Sequence, residues 1–178
     1  MRAAMNSLLQ AFVDIALRRS GPEDLPASGF LLFLTLGAYL VVSSISTTFF
    51  ADGASNVMAQ VAVDVFLLFG WFAGLLMLYR RPARIPQTMT AILGTLTLVH
   101  LIQLPMWFWL QSAGGSPEAS TFPLLAIWGI LLWSFLVIGH IVHRALEIPL
   151  PGGILLALAY FLVSLAVYSQ LFPAPPEV

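Results

Sequence analysis

Five apolar runs, each long enough to cross a lipid bilayer, follow one another along the chain with only short polar breaks between them. A hydrocarbon core of about 30 Å requires roughly 20 residues of helix, and runs of that order lie at 28–50, 57–79, 88–111, 120–143 and 151–172. The breaks "ADGASN", "RRPARIPQ", "SAGGSPEA" and "RALEIPL" combine charge with Gly, Pro or Ser and read as loops. None leaves room for a second folded domain. The expected architecture is all-α: a polytopic membrane bundle of five transmembrane helices over 28–172, with a cytoplasmic segment 1–27 before it and an external tail 173–178 after it.

Composition points the same way. The chain is 60% hydrophobic and 8% charged, whereas a soluble domain carries about 25% charged residues, so there is too little polar surface to cover a water-soluble fold. A net charge of -1 argues against nucleic acid, whose binding needs a basic face. The absence of cysteine excludes disulfides, thiolate nucleophiles and zinc-thiolate sites.

Basic residues are retained on the cytoplasmic side of a membrane. The seven arginines are Arg2, Arg18 and Arg19 before the first span, Arg80, Arg81 and Arg84 between the second and third, and Arg144 between the fourth and fifth. All fall on one side, while the opposite loops and the tail carry Asp52, Glu118 and Glu177. The N-terminus is therefore expected inside and the C-terminus outside. Arginine without lysine, in an Ala/Leu-rich chain, fits a high-GC bacterial source and an inner membrane.

The first residues resemble a secretory signal only superficially, since the apolar stretch contains Asp14 and is followed by Arg18 and Arg19. At helical spacing Met5, Leu8, Leu9, Phe12, Ile15 and Ala16 form one apolar side, with Asn6, Gln10, Asp14 and Arg18 elsewhere. That pattern predicts an amphipathic helix on the cytoplasmic membrane surface, the alternative being a leader tucked against the bundle. "SGPEDLP" ends it, with Gly21 as the helix stop and two prolines forcing an extended turn.

The second span, within "QVAVDVFLLFGWFAGLLMLY", carries a carboxylate, Asp64. At about 1.5 Å per residue it lies roughly 10 Å inside the membrane boundary, where a charge costs several kcal/mol unless it faces the bundle, meets water or takes up a proton. Gln60, Asp64, Leu67, Trp71 and Gly74 share an arc of about 80°, and Gly70 with Gly74 predicts close approach of another helix. His100 and Gln103 of the third span lie at matching depth, sharing a face with Thr97 and Trp107. The first span adds Tyr39, Ser43, Ser46 and Thr47. The polar cluster Asp64, His100 and Gln103 is expected to tie spans two and three, with the first span's hydroxyls in competition. Either it is a proton-linked or ligand-binding site, or it is interhelical glue worth about 0.6 to 2 kcal/mol per bond.

A second constellation, His140, His143, Arg144 and Glu147, stands where the fourth span meets the cytoplasm. Spacing i, i+3, i+7 puts two histidines and a carboxylate on one face if the helix reaches Glu147, but Ile148-Pro149 follows at once. Interfacial residues that meet headgroups or pair with the N-terminal helix are the reading adopted, with no metal and no cofactor. The third polar handle is the basic loop Arg80, Arg81 and Arg84.

Enzyme signatures are absent: no Gly-x-Ser-x-Gly elbow, phosphate-binding glycine loop, His-Glu-x-x-His pair or carboxylate run occurs. Trp107 and Trp109 fit an external aromatic belt and Tyr79 an internal one, while Trp71, Trp128 and Trp133 read as packing residues. A faint repeat relates "FAGLLMLYRRPARIP" to "LVIGHIVHRALEIPLP", as if spans two-three and four-five were related hairpins.

With "GPEDLP" before the first span, five closely spaced spans, an external C-terminus and this possible repeat, the chain resembles in layout the Yip family of small membrane proteins and its bacterial relatives. That resemblance implies membrane organisation or partner recruitment rather than catalysis. The expected function is thus a non-enzymatic scaffold or partner subunit, acting with the lipid bilayer and a membrane protein partner or a second copy. The rival is a small proton-coupled transporter or channel subunit built around Asp64.

Overall fold

A computed structural model describes residues 2–49 and 54–173. These residues are helical with short connections: α1 Arg2–Ala16, α2 Gly29–Thr47, α3 Ala54–Leu78, α4 Ile85–Ser112, α5 Pro117–Leu146 and α6 Leu150–Leu171. Helices α2 to α6 are each long and apolar enough to cross a membrane. They coincide with the five runs, α3, α4 and α5 each starting three residues earlier. Asp52, Glu177 and most of the expected external tail lie outside the described residues.

Local chemistry sets the ends. The Ser28 hydroxyl caps α2 by accepting from the Leu31 N–H at 3.4 Å. Proline occupies the first turn of α4, α5 and α6, where its fixed φ suits a helix start and its missing N–H leaves no helix bond unmade. The helices that finish at the arginine end use charged residues in left-handed backbone: Arg18 after α1, Arg80 after α3 and Glu147 after α5, with φ of 60°, 58° and 55°. Gly21, expected to be the stop for α1, is extended instead at φ -116°. Its N–H is held by the Asp24 carboxylate at 2.9 Å, so "GPEDLP" folds into a short 3₁₀ turn at Pro22–Asp24.

Neighbouring helices run round the bundle in the order α2, α4, α5, α6, α3 and back to α2. Thr88–Thr95 of α4 are all buried, the all-round burial expected of a helix enclosed by protein. Three of the buried α4 threonines satisfy themselves: Thr90, Thr95 and Thr97 donate to the carbonyls of Pro86, Ala91 and Leu93, each at 2.7 Å. The expected equivalence of two hairpins does not extend to packing. Helices α5 and α6 pack extensively, whereas α3 touches α4 and α6 equally sparsely and α2 only a little more.

Close approach occurs at α5 and α6, not at the glycines singled out in α3. A Cβ on Gly139 would sit 2.6 Å from Ile154 Cγ1, and one on Gly153 would be 2.9 Å from the His143 backbone nitrogen, whereas at Gly70 and Gly74 it would meet nothing within 4 Å. The buried line of α3 is Val57, Val61, Leu68, Phe72 and Leu76, which places the core face about 100° round the helix from the arc that contained Gly74. Asp64 lies at the edge of that true face.

Helix α1 packs on α4 and α5, with Phe12, Ile15 and Ala16 buried and Leu9, Val13 and Leu17 exposed. The Phe12 ring fills the space over Gly94 that a Cβ would need. The apolar side expected to meet lipid is therefore divided, and Phe12 and Ile15 belong to the bundle. Trp128, expected to pack inside, is 60% exposed.

Candidate functional site

Two polar networks stand out, one within the spans and one at the arginine end. Within the spans, Asp64 of α3 accepts a hydrogen bond from the Tyr39 hydroxyl of α2. Its other carboxylate oxygen is 3.4 Å from the Tyr160 hydroxyl of α6. One turn nearer the start of α3, Tyr168 of α6 donates to the Gln60 carbonyl at 2.8 Å. Asp64 thus faces the bundle, as depth and cost required, but it joins α2, α3 and α6 rather than α3 and α4.

His100 and Gln103 do not reach the carboxylate. His100 stacks on the Tyr39 ring, centroids 5.6 Å apart and planes at 29°. Its Nδ1 is shut off from solvent and has no hydrogen-bond partner among the described residues. His100 is therefore a neighbour of the cluster through Tyr39, and Gln103 is half-buried elsewhere on α4. Of the first-span hydroxyls, Tyr39, Ser43 and Ser46 are buried, while Thr47 turns back to the Ser43 carbonyl at 2.8 Å.

Tyr160 and Tyr168 were not anticipated. With Ser164 they recur at i, i+4 and i+8, a polar stripe on a helix whose other polar side chains, Ser169 and Gln170, stand at its end, and that spacing was the available signal. Tyr160 also packs against Phe72, centroids 5.1 Å apart, which holds its ring beside α3.

At the arginine end, the two constellations read separately from the sequence form one network. Arg81 Nη2 donates to Glu147 Oε2 and Arg84 Nη2 to Glu147 Oε1, both at 2.5 Å. Arg84 Nη1 donates to the Ala145 carbonyl at 2.9 Å. Arg144 pairs with Glu23 of the 3₁₀ turn, and Gln87 Nε2 donates to the Leu25 carbonyl at 2.8 Å. The loop between α3 and α4, the end of α5 and the segment before α2 are thereby tied together. The two guanidinium groups hold the Glu147 carboxyl down from an ordinary 4.5 to about 2, and the same contact raises Arg81.

Helix α5 stops at Leu146, so Glu147 is not on the histidine face. His140 Nε2 donates to the Ser20 carbonyl at 3.0 Å, and His143 Nδ1 donates to the Ile148 carbonyl. Both rings thus fasten the ends of neighbouring segments. Among the described residues no three His, Asp or Glu side chains are arranged to hold a metal ion. Beside this network lies a cavity of about 610 Å³ whose wall includes Glu23, Arg84, Gln87, Thr88, Arg144 and Pro149.

No protein-family model, curated protein or solved structure matches the chain.

Proposed function

We propose that this chain is a non-enzymatic integral membrane protein, a scaffold or partner subunit in membrane organisation, with the arginine end in the cytoplasm of a bacterium and the opposite loops outside its inner membrane. The carrying observation is that the carboxylate within the spans is engaged by the bundle itself, accepting from Tyr39 of α2 and facing Tyr160 of α6. An ionisable group held in that way ties helices together. Recruitment then falls to the arginine end and to α1, whose Leu9, Val13 and Leu17 are exposed at spacings that form one stripe for the membrane surface. The layout likeness to Yip proteins favours the same reading.

The rival, a proton-coupled transporter or channel subunit, draws support from the unpartnered His100 Nδ1 next to Tyr39, because a carboxylate, a phenol and an imidazole in series form a possible proton path. Asp64→Asn separates the two. The scaffold keeps its co-purifying membrane partner in that variant, and proteoliposomes of the wild type show no proton flux above protein-free vesicles. Proton flux in the wild type that disappears in Asp64→Asn would overturn the scaffold.

A further inference from the structure

The cavity at the arginine end combines four features. First, its wall carries Arg84 and Arg144 beside Glu23 and Glu147, and Arg81, paired with Glu147 from outside the cavity, brings the ion-pair network to three guanidinium groups against two carboxylates, one positive charge in excess. Each guanidinium has five N–H donors in a fixed fork, so pairing with a carboxylate leaves others for a ligand. Second, the first turn of α4 opens on the cavity at Gln87 and Thr88, and Ile148 and Pro149, which lead into α6, form another part of its wall. Neither helix start is capped by a side chain, and the positive end of a long helix favours an anion.

Third, Thr88 lines the cavity while only 2% exposed, and its hydroxyl has no hydrogen-bond partner among the described residues. The other buried threonines of α4 turn back on their own helix, so Thr88 is the exception, and a buried hydroxyl without a partner is costly. Fourth, the volume of about 610 Å³ falls within the range of small-molecule sites, about 300–1,000 Å³.

We propose that this cavity binds a phosphate ester carrying one negative charge, of the kind borne by an anionic phospholipid headgroup, with Arg144, Arg84 and the Thr88 hydroxyl as its donors. A single negative charge matches the single positive excess, and phosphate oxygens suit the guanidinium fork. The position favours the lipid as source, because the cavity sits at the ends of membrane-spanning helices, where headgroups lie and basic side chains attract anionic lipid. Phosphate binding here is independent of the choice between scaffold and transporter.

Native mass spectrometry of the detergent-purified full chain tests it, titrating phosphatidylglycerol, phosphatidylcholine and inorganic phosphate separately. Thr88→Val keeps the shape and apolar packing while removing the hydroxyl, and Arg144→Gln removes one charge at an exposed position. The expected result is phosphatidylglycerol bound in preference to phosphatidylcholine, about tenfold more weakly in each variant, and not displaced by millimolar phosphate. Saturable inorganic phosphate binding that both variants weaken, and that displaces the lipid, supports the same site with a soluble source. Phosphatidylglycerol and phosphate both failing to bind, or binding equally to wild type and to both variants, overturns the proposal. Circular dichroism melts of the variants show whether each is folded, and Thr88→Ser, which retains the hydroxyl, should restore binding lost in Thr88→Val.

Discussion

Asp64 shows at the scale of a single residue how a buried polar group selects its partners by reach. A tyrosine hydroxyl stands about 6.5 Å beyond its Cα, so Tyr39 and Tyr160 can bridge helices whose backbones remain apart, while the shorter glutamine on α4 does not arrive. Tyr39→Phe should lower stability by about 1 kcal/mol, the size of an interhelical hydrogen bond in a membrane, read as a shift in denaturant unfolding in detergent micelles. Gln103→Leu should change it by less than about 0.5 kcal/mol; a larger loss there than at Tyr39 would restore Gln103 as the partner. Glu147 gives a pH prediction of definite sign. Its folded value, about 2, lies below the ordinary 4.5, so its contribution is present above about pH 4.5 and is lost as pH falls toward 2. Because this carboxylate is solvent-exposed, the contribution is small. Glu147→Gln should remove that part of the acid dependence, measured by thermal melts between those two pH values, and a melt profile identical to wild type would show that the two arginine contacts contribute nothing.

Among the helices, α5 and α6 are joined by glycines and α3 is joined by hydrogen bonds. Gly153 lies against the backbone of Gly139 and His143, a contact no side chain permits. Gly153→Leu should therefore force α5 and α6 apart and destabilise by more than about 3 kcal/mol. Gly74→Ala, which meets open space, should be neutral or stabilising by up to about 1 kcal/mol, since alanine is the better helix former. Comparing expression and unfolding of the two variants checks both halves. Equal losses would mean that the Gly70/Gly74 side is packed after all. The difference between the two glycine pairs follows from the axial rotation of α3, whose Val61, Leu68 and Phe72 face turns inward and carries Gly70 to the opposite side.

On the scale of the whole molecule, three segments distant in sequence converge at the arginine end through Arg81, Arg84, Glu147, Arg144, Glu23, His140 and Ser20. That convergence makes one end of the bundle basic and hydrogen-bonded, and the orientation proposed above, which rests on the charge rule, has that end in the cytoplasm. A phosphatase fused after Val178 should be active only when exported, and a cytoplasm-dependent reporter at the same point should be silent. Activity of the cytoplasmic reporter would reverse the orientation.

What the sequence determined by itself was the number, length and order of the spans, the gathering of arginine at alternate loops, and the requirement that Asp64 face protein. Those properties depend on local apolarity and on the cost of a charge in hydrocarbon, and both are written residue by residue. Tertiary structure decided which way each helix turns about its own axis, and with it that Tyr160 meets Asp64, that Gly139 and Gly153 form the tight crossing, that Phe12 enters the bundle, and that Glu147 draws Arg81 and Arg84 together. In a soluble helix the apolar stripe would have revealed that rotation. Here lipid-facing and protein-facing positions are equally apolar, Phe30 and Phe66 exposed at 78% and 76% and Phe72 buried at 2%, because lipid tails are as apolar as leucine and exert no pressure to separate the two faces.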